Sequence, residues 1–177
     1  MKKFILGLIL GLILVPAGAV FYFVSGMAPA ATADPPMPFE KLIAGASLHA
    51  RITKEMPTSS PVQANEATYL AGADVYRMDC AMCHGLPKQP VPDIAKGMFP
   101  KPPQLFQPHH DVADDPAGMT FWKVKNGIRL TGMPSFGASL SDQQMWQVSE
   151  LLANGDKLPA SVHQALAPPP SSAPATK

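Results

Sequence analysis

Three chemically scarce residues stand together near the middle of this chain of 177 residues. Cys80, Cys83 and His84 form the pattern C-x-x-C-H, in which two thiols are followed at once by an imidazole. This pattern is the attachment signature of a c-type haem, because each thiol can add to one of the two vinyl groups on a porphyrin edge. The histidine is then placed under the iron as its proximal ligand. The motif therefore predicts one covalently bound haem c.

Other interpretations of the two cysteines explain the sequence less well. A structural zinc site needs four ligands, and no second pair of cysteines or histidines has matching spacing. A thioredoxin-like redox pair follows a strand, whereas the residues around Cys80 indicate helix. A disulfide across two intervening residues would close a small, strained ring. The haem interpretation is the one that uses all three residues.

An apolar segment near the N-terminus indicates that the chain meets a membrane. Residues 4–24 are uncharged and apolar, and as a helix they would span about 31 Å, the thickness of a bilayer core. They follow Lys2 and Lys3, which should remain in the cytoplasm and direct the rest outward. We predict a retained single-pass anchor on the periplasmic side of a bacterial inner membrane. The alternative is a signal peptide cleaved near Ala33, which would release a soluble periplasmic protein.

Composition limits the partners and suggests the domain boundaries. A net charge of +1 and a charged fraction of 15% provide no basic field for nucleic acid. Regions dense in proline cannot be regular helix. We predict an anchor or signal peptide over residues 1–33, a proline-rich linker with a short helix over 34–62, the main domain over 63–159 and a disordered Pro/Ala/Ser tail over 160–177.

Capping residues predict the helices of an all-α main domain. Helix starts are indicated at Asn65, at Asp115-Pro116 and at Ser141, the last as an S-x-x-Q capping box. Gly72 lies inside the first of these helices, where glycine costs about 1 kcal/mol relative to alanine. That cost is explained if another helix backbone must come close there. A further helix, predicted over residues 38–55, packs on the main domain or contacts a partner.

A haem iron with one histidine ligand has a sixth position, for which Met133 is the strongest candidate. Met133 lies in an irregular loop between a glycine, which permits close backbone approach, and a proline, which stiffens the chain. The loop is 49 residues (133 − 84) beyond His84, far enough to reach the other haem face. Met98, the pair His109-His110 and an open site remain as alternatives.

Residues 63–159 resemble the class I cytochromes c, the bacterial monohaem kind. The motifs that carry the resemblance are Gly72-x-x-x-Tyr76 ahead of the haem motif, Phe121 to Gly127, Thr131-Gly132-Met133-Pro134, and Leu140-Ser141-Asp142 leading to Trp146. The resemblance implies the class I cytochrome c fold, a small helical domain wrapped around one covalent haem. It also implies that the first and last helices of the domain cross near Gly72.

The same resemblance implies further residues around the haem. In the family, Nδ1 of the proximal histidine donates to a backbone carbonyl in a proline-containing loop, for which the closest match is Pro102-Pro103-Gln104-Leu105, with Pro102 and Pro103 both open as the acceptor. A tryptophan before the methionine loop often lies at the haem propionates, which would be Trp122 here, with plain core packing as the other interpretation. Arg129 would pair with a propionate or point to solvent.

These features predict an electron carrier and not an enzyme. Iron held by histidine and methionine has no free position for a substrate, and it can change oxidation state with little change of ligands. We expect single electrons to pass between membrane or periplasmic redox proteins, with no small-molecule substrate and no nucleic acid. The alternative is a cytochrome subunit of a membrane-bound dehydrogenase or oxidase complex. A peroxidase-like haem protein ranks last, since no distal base and arginine pair is evident.

Overall fold

The computed structural model describes residues 1–106 and 115–168, and within these ranges every regular element is a helix. The prediction of an all-α chain is therefore confirmed. The chain divides into two compact units, Met1–Ala44 and Gly45–Lys177. The α-helices are α1 (Lys2–Val24), α2 (Glu40–Glu55), α3 (Glu66–Val75), α4 (Ala81–His84), α5 (Asp93–Lys96), α6 (Ala117–Asn126), α7 (Asp142–Ala153) and α8 (Ala160–Ala165), and a π-helix covers Tyr76–Cys80 between α3 and α4.

Helix α1 dominates the first unit. It has 23 residues and a mean hydropathy of 2.6, with none of its apolar window buried. Its length and composition are sufficient to cross a membrane. A signal sequence near the N-terminus has the same two properties, so the helix confirms the apolar segment and leaves its retention as a prediction.

Helix α2 crosses from the first unit into the second. Ile52 is 2% exposed, and the carbonyl of Pro57 lies where a Cβ on Gly118 would be, with its carbon 3.0 Å from that position. The C-terminal residue of α2, Glu55, accepts a hydrogen bond from the indole of Trp122, and packing of the helix on the main domain stays a prediction. The second compact unit begins at Gly45, and the boundary of the main domain at residue 63 stays a prediction.

The core of the second unit forms where α3 crosses α7. Ala73, Val148 and Leu151 are completely buried there. A Cβ on Gly72 would collide with the carbonyl oxygen of Gln147 and would lie 2.7 Å from its carbonyl carbon. The close approach inferred from Gly72 is confirmed.

We expect Gly72→Ala to lower the free energy of unfolding by about 1–3 kcal/mol, because the two helices must separate to admit a methyl group. Gly45→Ala is the matched control, since Gly45 lies inside α2 and a methyl group added there would meet nothing within 4 Å. There the better helix propensity of alanine should leave stability unchanged or raise it by up to about 1 kcal/mol. Urea unfolding followed by circular dichroism measures both, and equal effects would refute the crossing argument.

The capping residues of α6 and α7 agree with the sequence prediction except at Asp115. Ser141 and Gln144 form the complete capping box that the sequence predicts. Helix α6 begins after Pro116, and the carboxylate of Asp115 pairs with Lys123 at 3.0 Å instead of capping the helix. Gly127 ends α6 with φ of 68°, a conformation that favours glycine.

The prediction that residues 160–177 are disordered is wrong for residues 160–168. These residues include α8, which packs on α3 and buries Val162 and Leu166 completely. The guanidinium of Arg77 also donates to the carbonyl of Ala165 at 2.8 Å. Val162 and Leu166 are four residues apart and therefore lie on one buried face. The proline-rich composition of the whole tail gives no indication of this face. Residues 169–177 lie outside the described ranges.

Candidate haem-binding site

A π-helix, which is wider than an α-helix, leads into the haem motif. The sequence suggests one helix from Asn65 to Asp79, but α3 ends at Val75 and continues as the π-helix Tyr76–Cys80. Single π-helical turns inside α-helices occur frequently at functional sites. Helix α4 follows directly and carries the rest of the motif, so both cysteines lie within one helical turn at positions three apart, which share a helix face.

Both cysteines are free thiols and half-buried. Burial raises the pKa of Cys80 to about 12, and the nearby Asp79 and Cys83 raise it further in the same direction. At neutral pH this side chain therefore carries its proton. A neutral S–H group has the atoms needed to add across a vinyl double bond, with sulfur bonding to one carbon and hydrogen to the other.

His84 is oriented by one hydrogen bond. Its Nδ1 lies 2.8 Å from the carbonyl oxygen of Pro103. A carbonyl oxygen only accepts, so Nδ1 carries the hydrogen and Nε2 keeps a free lone pair. Burial lowers the pKa of His84 while the bond to Pro103 raises it, and burial is the larger effect. A neutral imidazole with an unprotonated Nε2 is the form that binds iron.

The structure decides between the two prolines that sequence reasoning leaves open. Pro103 provides the acceptor for His84, whereas the carbonyl of Pro102 accepts from the side chain of Gln104 at 3.3 Å. The two neighbouring carbonyls therefore accept from different donors. The family resemblance supplies the loop, and only the three-dimensional contact selects the residue.

Two further residues hold the haem motif, and sequence reasoning does not assign them to the site. Gln104 Nε2 donates to the carbonyl of Cys83 at 3.1 Å. The hydroxyl of Tyr76 donates to the carbonyl of Gly85 at 2.7 Å. In the sequence, Tyr76 belongs to the Gly72-x-x-x-Tyr76 motif, and nothing in that motif indicates a use for its hydroxyl. The only available signal for Gln104 is a lone polar residue in a proline-rich stretch.

Hydrogen bonds hold the backbone of Met133 on both sides. Its N–H donates to Oγ1 of Thr131 at 3.1 Å, and its carbonyl accepts from the N–H of Ile128 at 3.2 Å. Thr131 Oγ1 in turn donates to the carbonyl of Ile128 at 2.7 Å. The side chain of Met133 is half-buried and packs against the core. The loop thus presents Met133 from an ordered backbone.

The rival methionine lies against the same loop. The methyl group of Met98 occupies the space that a Cβ on Gly132 would take, and its sulfur is 3.6 Å from that position. Sequence separation suggests that Met98 would remain near the proximal side, but the chain after α5 brings it next to the Met133 loop. The other alternative, His109-His110, lies outside the described residues.

The two residues predicted at the propionates differ in their surroundings. The indole N–H of Trp122 donates to a carboxylate oxygen of Glu55 at 3.1 Å. Glu55 is also paired with Arg51 at 2.7 Å, and hydrogen bonds from Arg51 and Trp122 lower its pKa. A carboxylate of the protein therefore competes with the predicted propionate role of Trp122, which stays a prediction. Arg129 is exposed.

The residues present fit a covalently attached haem. Two thiols within one helical turn, an imidazole with its Nε2 lone pair available and a methionine on a braced loop are the groups that a c-type haem requires. Gly132 has no side chain, so neighbouring atoms can lie directly against the backbone of the loop. The donor set is soft sulfur and imidazole nitrogen, which suits iron in a porphyrin.

Part of the chain is similar to a known protein family. Residues 67–152 match the sequence model of a family described as "Cytochrome C oxidase, cbb3-type, subunit III". The match runs from the first turn of α3 to the last turn of α7 and includes every candidate ligand, while α1, α2 and α8 lie outside it. No curated protein and no solved structure matches the chain.

Proposed function

We propose that residues 67–152, which match the sequence model of a c-type cytochrome family, bind haem c covalently and transfer electrons, with Cys80 and Cys83 holding the haem and His84 and Met133 ligating its iron. The observation that carries the proposal is the hydrogen bond of 2.8 Å between His84 Nδ1 and the Pro103 carbonyl. It fixes the hydrogen on Nδ1 and turns Nε2 away from the loop, while burial lowers the pKa of His84 and so favours an unprotonated Nε2.

The haem supplies one-electron chemistry at its iron, and the chain's residues set the conditions for it. The bond from His84 to Pro103 makes the imidazole a stronger donor, which favours ferric iron. The thioether of Met133 favours ferrous iron and raises the reduction potential above that of a haem with two histidines. If His84 and Met133 both ligate the iron, no position would remain there for a substrate. This arrangement supports an electron carrier in preference to an enzyme.

The carrier is proposed to work on the periplasmic face of a bacterial inner membrane, anchored by α1. The basic residues Lys2 and Lys3 precede the apolar segment, which favours a cytoplasmic N-terminus. Anchoring would confine the haem domain near membrane redox proteins and raise its effective concentration for them. Transient electron-transfer partners need only small interfaces.

A second candidate function is that of a cytochrome subunit in a membrane-bound oxidase or dehydrogenase complex. The matched family is named for an oxidase subunit, and the apolar residues Leu42 and Ile43 of α2 are exposed. Purification in mild detergent without crosslinker distinguishes the two functions. A stoichiometric set of other subunits favours the complex, and a cytochrome recovered alone favours the free carrier.

Spectroscopy of the full chain in washed membranes tests the carrier proposal. We expect the haem to titrate as a one-electron couple and the reduced spectrum to stay unchanged under carbon monoxide at neutral pH, because Met133 would already ligate the iron. Mass spectrometry of the same protein should find residues 1–33 retained, since the apolar segment is longer than an ordinary signal core. Carbon monoxide binding would contradict the carrier, and a mature N-terminus near Asp34 would contradict the anchor.

A further inference from the structure

We propose that Gln104 and Tyr76 are positioning residues that hold the turn carrying His84 in place, Gln104 from the loop that carries Pro103 and Tyr76 from the π-helix before the motif. By doing so they set the strength of the hydrogen bond that orients the proximal imidazole. This inference rests on the proposed ligation of iron by His84, and it concerns two side chains that do not touch the iron.

The backbone carbonyls in the turn around His84 need hydrogen-bond donors from outside the helix. Helix α4 has only four residues and ends at His84, so the carbonyls in and after its last turn lack partners within the helix. Gly85 then leaves the helix with φ of 70° and takes the chain away from it. Unless other groups donate to these carbonyls, the end of the haem motif is free to fray.

Gln104 and Tyr76 supply those donors from inside the protein. Gln104 donates to the carbonyl of Cys83, and Tyr76 donates to that of Gly85. Tyr76 is completely buried and Gln104 is 8% exposed. A Cβ on Gly85 would collide with Oε1 of Gln104, so the turn and the amide are packed directly together. Buried donors of this kind are costly to leave without an acceptor.

Gln104 and His84 each form a hydrogen bond between the turn and the loop, and the two bonds donate in opposite directions. His84 on the turn donates from Nδ1 to Pro103 on the loop at 2.8 Å. Gln104 on the loop donates from Nε2 to Cys83 on the turn at 3.1 Å, and also to Pro102 within the loop at 3.3 Å. Two bonds between the same segments restrict rotation of the imidazole more than one bond can. Loss of the Gln104 bond should therefore weaken the His84 bond as well.

The functional consequence concerns the ligand strength of His84. A histidine that donates firmly from Nδ1 is a more basic ligand at Nε2. A stronger ligand stabilises ferric iron and lowers the reduction potential, so weakening the bond to Pro103 should raise the potential. Gln104 and Tyr76 would thus tune the carrier through the position of the turn relative to the loop.

The test uses Gln104→Met in the detergent-solubilised full chain with haem attached. Methionine has a similar length and no N–H donor. In the reduced, diamagnetic protein, we expect the His84 Nδ1 proton to exchange with deuterium about tenfold faster, as follows from weakening one buried hydrogen bond. We expect the midpoint potential to rise in the same variant. Tyr76→Phe keeps the edge contact with Phe106, at 5.0 Å between ring centroids, and should shift both readouts in the same direction.

Tyr69→Phe is the matched control, because Tyr69 is a buried tyrosine on α3, the helix that leads into Tyr76. It should leave exchange and potential unchanged even where it lowers stability. Unchanged exchange and potential in Gln104→Met, or equal changes in Tyr69→Phe, would overturn the proposal. If Gln104→Met does not mature, Tyr76→Phe decides by the same readouts. Absence of a haem-shifted His84 signal in the unaltered protein would instead refute the ligation on which the inference rests.

Discussion

Replacing both Cys80 and Cys83 with alanine should remove all covalently bound haem from the protein. The chain contains two cysteines in total, so no other thiol can form a thioether with the haem. Peroxidase staining of the full chain after denaturing electrophoresis measures this, since only haem that is covalently attached stays with the polypeptide. We expect complete loss of the stain, with the polypeptide itself still detected by antibody.

Two control variants separate attachment from general damage to the site. Each single cysteine variant keeps one thiol, so haem held by a single thioether should still give a stain. Met82→Ala changes the residue between the cysteines, whose side chain is 65% exposed, and should stain as the unaltered protein does. Haem that remains on the double variant would show that the C-x-x-C-H motif is not the attachment site.

Met133→Ala should open the iron to outside ligands while leaving the haem attached. A methionine sulfur on ferric haem gives a weak charge-transfer band at the red end of the visible spectrum, as the resemblance to class I cytochromes c implies. Loss of the thioether should erase this band and allow carbon monoxide to bind the reduced iron. Covalent attachment should persist, because Cys80, Cys83 and His84 are unchanged.

Met98→Ala is the decisive comparison for the distal ligand. Met98 lies against Gly132 in the same loop, so proximity to the loop is shared by both methionines. We expect Met98→Ala to keep the charge-transfer band and to exclude carbon monoxide, because its loss removes a packing contact and not a ligand. If Met98→Ala erases the band and Met133→Ala preserves it, the distal ligand comes from the proline-rich segment after His84.

Local chemistry makes several parts of this protein predictable from its sequence. The capping box at Ser141 and the glycine that ends α6 depend on residues within a few positions of one another, so their patterns can be recognised in the chain. The same holds for the haem motif, whose three side chains need only one helical turn to come together. Gly72 is informative for a related reason, because a costly glycine inside a helix signals a close neighbour.

Contacts between distant residues are decided only by the tertiary structure. Composition classes the segment after residue 159 as a tail, yet α8 buries Val162 and Leu166 because α3 offers an apolar surface to cover. The indole of Trp122 meets Glu55, which is 67 positions away in the chain. No local pattern encodes such a pairing, since both residues would be unremarkable on an exposed helix.

The proximal side of the site depends both on the local sequence and on the tertiary structure. The sequence by itself determined that Cys80, Cys83 and His84 form a haem motif, because their function depends on fixed spacing along the chain. Only the fold decided that Pro103 and not Pro102 accepts from His84, and that Gln104 reaches back to Cys83. Hydrogen bonds depend on direction and on distances of tenths of an ångström. Those quantities arise when separate segments pack together, and spacing in the sequence does not contain them.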